Sequence, residues 1–454
     1  MALPDLIEII PLEKPAHAEI TVPGSKSITN RALILAALAG GKTILRGALW
    51  SEDTQVMVEA LRQLGFGLEV EADRDEFSNR TISIKGLGGK IPKAGSEAQP
   101  LEIFVGNAGT AARFLTAFVC LGQGVYRLQG VPRMHERPQA ALFSALRQLG
   151  YRIEASDDRL PATIYGTGPH AGECKVSIDE SSQFASALIL SARAGGWRVK
   201  VVGSNSEESP YVRMTSRMDE MFPRNGGVFD IEPDASSGSY FWAAGFLLGL
   251  LDPKNYAQQP PPLDIVRNWP TPEFQVDASF PAYLMPRFHL AGRQNFEQGL
   301  AQMQRKETGI ISREHDLGDS IMTAIAIAPF RDKPWQFVEL GRLRLQECER
   351  VAALRTELTK CGAKVTETGD RLEVFPGPLH GAEIETYDDH RMAMCFATLG
   401  LKVPGIRIRN PGCVRKTFPD FFQKLAGAPP HGLGATLLDA GTRRKLGLDE
   451  LFAE

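Results

Sequence analysis

Ala60-Leu61-Arg62-Gln63-Leu64-Gly65-Phe66 and Ala145-Leu146-Arg147-Gln148-Leu149-Gly150-Tyr151 read as two copies of one helix end. Each breaks on a glycine, the residue that most readily takes the left-handed conformation at a helix C-terminus. A looser copy, Ala353-Leu354-Arg355-Thr356-Glu357-Leu358, runs to Cys361-Gly362. Working outward, these ends belong to a longer repeat. Six clusters of small polar or charged residues stand before apolar, helix-length runs: Pro23-Gly24-Ser25-Lys26-Ser27, Gly106-Asn107-Ala108-Gly109-Thr110, Glu180-Ser181-Ser182-Gln183, Asp234-Ala235-Ser236-Ser237, Asp316-Leu317-Gly318-Asp319-Ser320 and Tyr387-Asp388-Asp389-His390-Arg391. A turn and a short strand follow, such as Thr43–Arg46, Val125–Gln129 or Arg198–Val202, and then a second, amphipathic helix. The implied fold is α/β: six β-α-β-α-β-β units of about 70–80 residues, grouped as two similar domains of three.

A helix start carries unpaired N–H groups and about half a positive charge, so it favours anions. Several starts aimed at one place form an anion trap that needs no metal. The bulk numbers leave room for little else. At 454 residues the chain is too long for one core. A net charge of -3 gives no general attraction to nucleic acid or anionic membrane, so any anion site is local. The longest apolar run, near Phe241–Leu251, falls short of the roughly 20 residues that span a bilayer. No signal or transit pattern opens the sequence, and a cytoplasmic protein is expected. The cysteines, Cys120, Cys174, Cys348, Cys361, Cys395 and Cys413, form no Cys-x-x-Cys pair and are expected reduced and structural. Cys413 is the one candidate for reactivity, because Asn410-Pro411-Gly412 makes its surroundings polar. The Gln258-Gln259-Pro260-Pro261-Pro262 stretch within Asp252–Leu263 reads as a loop insertion.

Lys26, Ser27 and Arg31 surround the first helix start, with cations and hydroxyls suited to phosphate or carboxylate. Gly106 and Gly109 let backbone N–H groups approach a ligand, and Arg133 and Arg137 lie downstream. In the second half Asp319 heads a helix, Glu347 and Arg350 stand three residues apart, and Asp389-His390-Arg391 and Arg415-Lys416 follow. Taken singly these are caps, surface pairs or solvated helix ends as readily as site residues.

Taken together they resemble a known family. Val22-Pro23-Gly24-Ser25-Lys26-Ser27-x-x-Asn30-Arg31, Gly106-Asn107-Ala108-Gly109-Thr110-Ala111-x-Arg113, Ser181-Ser182-Gln183-Phe184, Asp234-Ala235-Ser236-Ser237, Tyr387-x-Asp389-His390-Arg391-Met392-Ala393-Met394 and Lys416-Thr417-Phe418-Pro419 look like the 5-enolpyruvylshikimate-3-phosphate synthases, in order along almost the whole chain. The resemblance implies helix N-termini facing an interdomain cleft that closes on its substrates. It implies domains at 25–233 and at 1–24 with 234–427; the segment 428–454 falls outside the sixfold pattern and is expected as a peripheral tail. It implies transfer of the enolpyruvyl group of phosphoenolpyruvate to the 5-hydroxyl of shikimate 3-phosphate, through a tetrahedral adduct. Asp319 matches the base, Glu347 the proton donor, and Lys26 the residue assisting both. Lys26, Ser27, Arg31, Ser181, Ser182, Gln183, Asp319 and Gln346 match shikimate 3-phosphate contacts. Lys26, Asn107, Gly109, Arg133, Gln183, Arg350, Arg391 and Lys416 match phosphoenolpyruvate contacts. No metal and no cofactor is implied, and a monomer with only small-molecule partners is expected. Glyphosate sensitivity follows through Gly109, to a degree left open by Phe114.

Several positions depart from the family pattern. Gln346 stands where lysine is usual, Arg342 where asparagine is common, Glu208 where a serine binds phosphate unless Ser209 takes that place, and Phe114 where proline is common. Gln275-Val276-Asp277 replaces a Gln-Gly-Asp motif. Losing a lysine near a phosphate forfeits roughly 1.5–3 kcal/mol. Tolerated drift, a divergent enolpyruvyl transferase with another hydroxylated acceptor, and a non-catalytic phosphate-metabolite sensor are therefore the readings to separate.

Overall fold

Helices that are apolar on every side are stable only in an interior, and that sets the plan of this chain. The computed structural model describes residues 3–13, 18–74, 76–203, 209–251, 265–270, 274–284 and 308–453. The expected loop insertion and Glu208 fall outside those residues. The chain divides into two units, Pro23–Glu232, and Met1–Val22 with Pro233–Glu454. In the first, the apolar runs become the helices Lys26–Leu38, Gly109–Val119 and Ser182–Gly195, which pack on one another. In the second they become Ala235–Leu247, Ile321–Ile327 and His390–Gly400, packed in the same way. The second helices are one-sided instead. Glu52–Gln63 buries Met57, Val58 and Leu61 and turns Glu52, Gln55, Glu59 and Arg62 outward.

The repeated helix ends are the same turn three times over. Gly65, Gly150 and Gly362 have φ of +93°, +91° and +90°. After each, the next residue donates its N–H back to a carbonyl of the last turn: Phe66 to Leu61 at 3.0 Å, Tyr151 to Leu146 at 3.2 Å, Ala363 to Leu358 at 3.0 Å. This closure satisfies carbonyls that would otherwise be left unpaired, and a Cβ in its left-handed position would strain it.

Four four-stranded sheets repeat one design, a parallel pair followed by two antiparallel neighbours. Their orders are Gly227–Asp230, Lys42–Leu49, Asn79–Lys85, Leu68–Ala72; then Leu101–Phe104, Gln123–Gln129, Ala162–Thr167, Arg152–Ala155; then Ile310–Ser312, Trp335–Val338, Arg371–Val374, Val365–Thr368; and Glu383–Ile384, Arg407–Arg409, Leu6–Ile10, Thr436–Asp439. Gly172–Ser177 and Trp197–Val202 add a parallel pair. Leu6–Ile10 comes from the start of the chain yet fills the inner antiparallel place of the last sheet, with Ile7 opposite Ile408. Its Ile7 and Ile9 are fully buried.

The segment after Gly427, expected as a peripheral tail, needs correction. Thr436–Asp439 lies along Leu6–Ile10 as the edge strand that the other three sheets also have. Leu433, Leu437, Leu446 and Leu451 are buried in the same apolar core as Ile7 and Phe421. The sixfold pattern hid this because the strand carries no helix start, and its partner lies at the other end of the sequence. Among the described residues, no helix is long and apolar enough to cross a membrane.

Candidate active site

In the Pro233–Glu454 unit, the helix starts are tied to one another by polar side chains. Asp277, buried, accepts from Ser236 Oγ at the first of these helices. It also accepts from the backbone N–H and Oγ of Ser320 at the second, at 3.0 and 2.5 Å. Burial pushes the Asp277 carboxyl up, and the charge of Asp319 pushes it further. Gln275 completes the tie, accepting from the Ala235 N–H at 2.9 Å and donating to the Pro233 carbonyl at 2.8 Å. The departure from the Gln-Gly-Asp pattern at Val276 thus leaves both polar residues employed.

Asp319 sits beside that tie among arginines. Its carboxylate lies 3.1 Å from Arg391, 3.2 Å from Arg313 and 4.0 Å from Arg350. Burial by itself would raise its pKa, but Arg391, Arg350 and Arg313 together hold it well below the usual carboxylate range. Glu347 stands 2.8 Å from Arg350 and 3.5 Å from Lys416. Arg350 is 1% exposed and is gripped from behind by Asp389, whose oxygens accept from its Nε at 2.7 Å and its Nη2 at 3.2 Å. Asp389 also caps the His390–Gly400 helix by accepting from the Arg391 N–H at 2.8 Å. Arg391 Nε is buried with no hydrogen-bond partner among the described residues. Asp319, Glu347, Gln346, Arg350, Arg391 and Lys416 are therefore brought together as the sequence suggests. Two of the site's polar partners were not foreseen from it. Arg313 follows a three-residue strand, in a stretch with no helical period. Asp389 was legible only as part of a motif and not as the group that orients two arginines.

Gln346 occupies the usual lysine position and makes a bridge there. Its Nε2 donates to Asp319 Oδ1 at 3.4 Å, and its Oε1 accepts from Arg350 Nη1. The amide thereby links the carboxylate to the arginine without adding charge.

In the Pro23–Glu232 unit, Lys26 heads its helix with its ammonium 3.1 Å from Asp53, a carboxylate only 6% exposed. Asp53 lies in the first turn of the Glu52–Gln63 helix, where a carboxylate is favoured. Ser181 caps its helix by accepting from the Gln183 N–H at 3.2 Å, and Gln183 donates to Thr110 at 3.4 Å, joining two helix starts. Ser182 is buried beside them. Among the described residues, the N-cap residues Ser25 and Ala108 make no side-chain capping hydrogen bond to the helices that begin at Lys26 and Gly109, and a helix start of this kind favours an anion.

Arg31 points inward. It donates to Thr215 at 2.7 Å, to Ser186 at 3.0 Å and to the Ser27 carbonyl at 2.9 Å, with its guanidinium 5.3 Å from the Phe114 ring. Phe114 accordingly packs under a cation in the interior. Arg133 is half-exposed and ion-paired to Glu136 at 2.6 Å. The guanidinium groups that crowd Gly109 are those of Arg137 and Arg113: a Cβ built there would lie 2.6 and 2.7 Å from their nitrogens. Next to it, the Oδ1 of Asn107 is buried without a hydrogen-bond partner among the described residues.

All six cysteines are free, and burial pushes the Cys413 thiol up to about 12, against the reactive role considered for it. Among the described residues, Glu314, His315 and Glu339 bring three potential metal-ligating atoms within 4.8 Å of one another. Both carboxylates already have partners there: Glu339 accepts from Ser312 Oγ, and Glu314 lies 3.4 Å from His315 of the same group.

Comparison with known proteins places this arrangement in context. The sequence pattern of the EPSP synthase (3-phosphoshikimate 1-carboxyvinyltransferase) family matches residues 12–251 and 266–425. The 3-phosphoshikimate 1-carboxyvinyltransferase of Nostoc punctiforme is 37% identical, covering 93% of this chain and 98% of its own. That of Trichormus variabilis is 38% identical with the same coverage. The solved EPSP synthase of Acinetobacter baumannii, 19% identical, shares the fold with a TM-score of 0.65 over 95% of this chain and 99% of that one.

Proposed function

The chain belongs to the EPSP synthase family, and from that premise we propose which of its side chains perform the reaction. It is a transferase that moves the enolpyruvyl group of phosphoenolpyruvate to the 5-hydroxyl of shikimate 3-phosphate and releases phosphate, in the shikimate pathway to aromatic amino acids. The observation that carries the assignment of roles is the pair Asp319 and Glu347 set among Arg313, Arg350, Arg391 and Lys416.

In this reading Arg350, Arg391 and Lys416, with Lys26, Asn107, Gly109, Arg133 and Gln183, take the phosphate and carboxylate of phosphoenolpyruvate. Ser27, Arg31, Ser181, Ser182, Gln183, Gln346 and Lys26 take the acceptor. Asp319 removes the proton of the attacking hydroxyl as its oxygen bonds to C2 of phosphoenolpyruvate. Glu347, in its acid form, gives a proton to C3, so the adduct is tetrahedral at C2 with a methyl group. Glu347, now a carboxylate, takes back a methyl proton as the C2–O bond to phosphate breaks, which leaves the enolpyruvyl ether and free phosphate. Lys26 stabilises charge at both stages. The arriving anion also changes the acid–base groups. It shares the arginines that depress Asp319 and adds negative charge beside it, which raises the basicity of that carboxylate in the loaded site.

The same reading makes Gln346 a tolerated change. Asp319 and Arg350 already occupy both ends of its amide, and Arg342 brings a cation to the same turn. We propose further that the protein works as a cytoplasmic monomer on these two small molecules. The direct test is phosphate release from phosphoenolpyruvate, with and without shikimate 3-phosphate. Release that requires the acceptor is expected; bound phosphoenolpyruvate with no release would overturn it.

Gly109 gives a second test. Gly109→Ala forces the Arg137 end to move and presses on the buried Arg113, which cannot swing away as freely. The expected result is a KM for phosphoenolpyruvate raised about tenfold, a loss of about 1.4 kcal/mol, with the KM for shikimate 3-phosphate little changed. Steady-state titration of each substrate separately checks it.

A further inference from the structure

The turn that delivers Asp389 and Arg391 has a second anchor, away from the reacting groups. Tyr387 and Asp388 both take left-handed backbone angles, φ +55° and +54°. Neither is glycine, and such a pair persists only where surroundings enforce it. The enforcing group is Glu357, a fully buried carboxylate. It accepts from Tyr387 Oη at 2.7 Å, from the Glu385 N–H at 3.2 Å and from Lys360 Nζ at 2.8 Å on each oxygen. On the far side of the turn, Asp388 accepts from Asn410 at 3.1 Å.

Glu357 and Arg350 belong to one helix, Arg350–Lys360, seven positions apart and so on the same face. That helix grips one turn twice, Arg350 on Asp389 and Glu357 on Tyr387. We infer that Glu357 and Tyr387 are positioning residues for phosphoenolpyruvate: they lock the Tyr387–Asp389 turn so that Asp389 presents Arg350 and Arg391 at fixed angles. This rests on the roles given to those arginines above.

Tyr387→Phe keeps the ring and removes only the hydroxyl at a partly exposed residue, so the protein retains its fold. The KM for phosphoenolpyruvate is expected to rise about fivefold, with the KM for shikimate 3-phosphate unchanged. Glu357→Gln, which keeps an acceptor for Tyr387, is expected to fall between wild type and Glu357→Ala. Arg391→Lys serves as control. A Tyr387→Phe protein with lowered melting temperature but an unchanged KM for phosphoenolpyruvate would show a structural role only and overturn the inference, provided Arg391→Lys raises that KM. If Arg391→Lys leaves it unchanged, the underlying assignment of the arginines fails instead.

Discussion

Replacing Glu347 by glutamine is expected to lower kcat for phosphate release by about 10³-fold, within the range of roughly 10²–10⁴ for removing a general acid. The substitution keeps the shape and an oxygen to accept from Arg350, now at 2.8 Å, so the site stays assembled. What it removes is the proton for C3. Binding of phosphoenolpyruvate should survive, because Arg350 and Lys416 keep their places. Single-turnover phosphate release together with calorimetric binding separates the two quantities. A variant that keeps more than a tenth of wild-type kcat would assign the proton to another group.

Asp319→Asn should cost catalysis and stability together. An amide cannot take the hydroxyl proton, so kcat is expected to fall by about 10²–10⁴-fold. It also removes the charge facing Arg313, 2% exposed, and Arg391, 11% exposed. Leaving buried cations short of a partner costs roughly 3 kcal/mol, softened here because asparagine still offers one acceptor. The pH dependence has a definite sign. The folded-state pKa of Asp319 lies below its unfolded value near 3.9, so its contribution to stability is complete above about pH 4 and is lost only as the pH falls further. Wild type and Asp319→Asn should therefore differ most in denaturant midpoint at neutral pH and converge in strong acid. A difference that grows on acidification would contradict the assignment.

The sequence announces the interior helices because each is apolar all round and opens on a polar cluster, and all six clusters do stand at helix starts. Within the site, residues that carry charge at those starts were readable: Lys26, Asp319 and Arg391. Their partners were less so. Asp53 acts across 27 residues and Arg313 across 6, both from positions that local periodicity does not mark, and Asp277 lies in a motif whose middle residue departs from the family pattern. Arg31 shows the converse, a cation whose place in a binding motif says nothing about its inward hydrogen bonds to Ser186 and Thr215. Charge can be read from one dimension, but its direction cannot.

The place of Leu6–Ile10 between Arg407–Arg409 and Thr436–Asp439 also orders events during synthesis. Pro23–Glu232 is one continuous stretch and can assemble as soon as it leaves the ribosome. Leu6–Ile10 must wait for its partners, Arg407–Arg409 and Thr436–Asp439, which are made long after it. Pairing across so long a stretch of chain is slow, so completion of this sheet is expected to trail assembly of the Pro23–Glu232 unit. A ribosome that stalls early leaves a formed unit and an idle strand, but no acid–base pair.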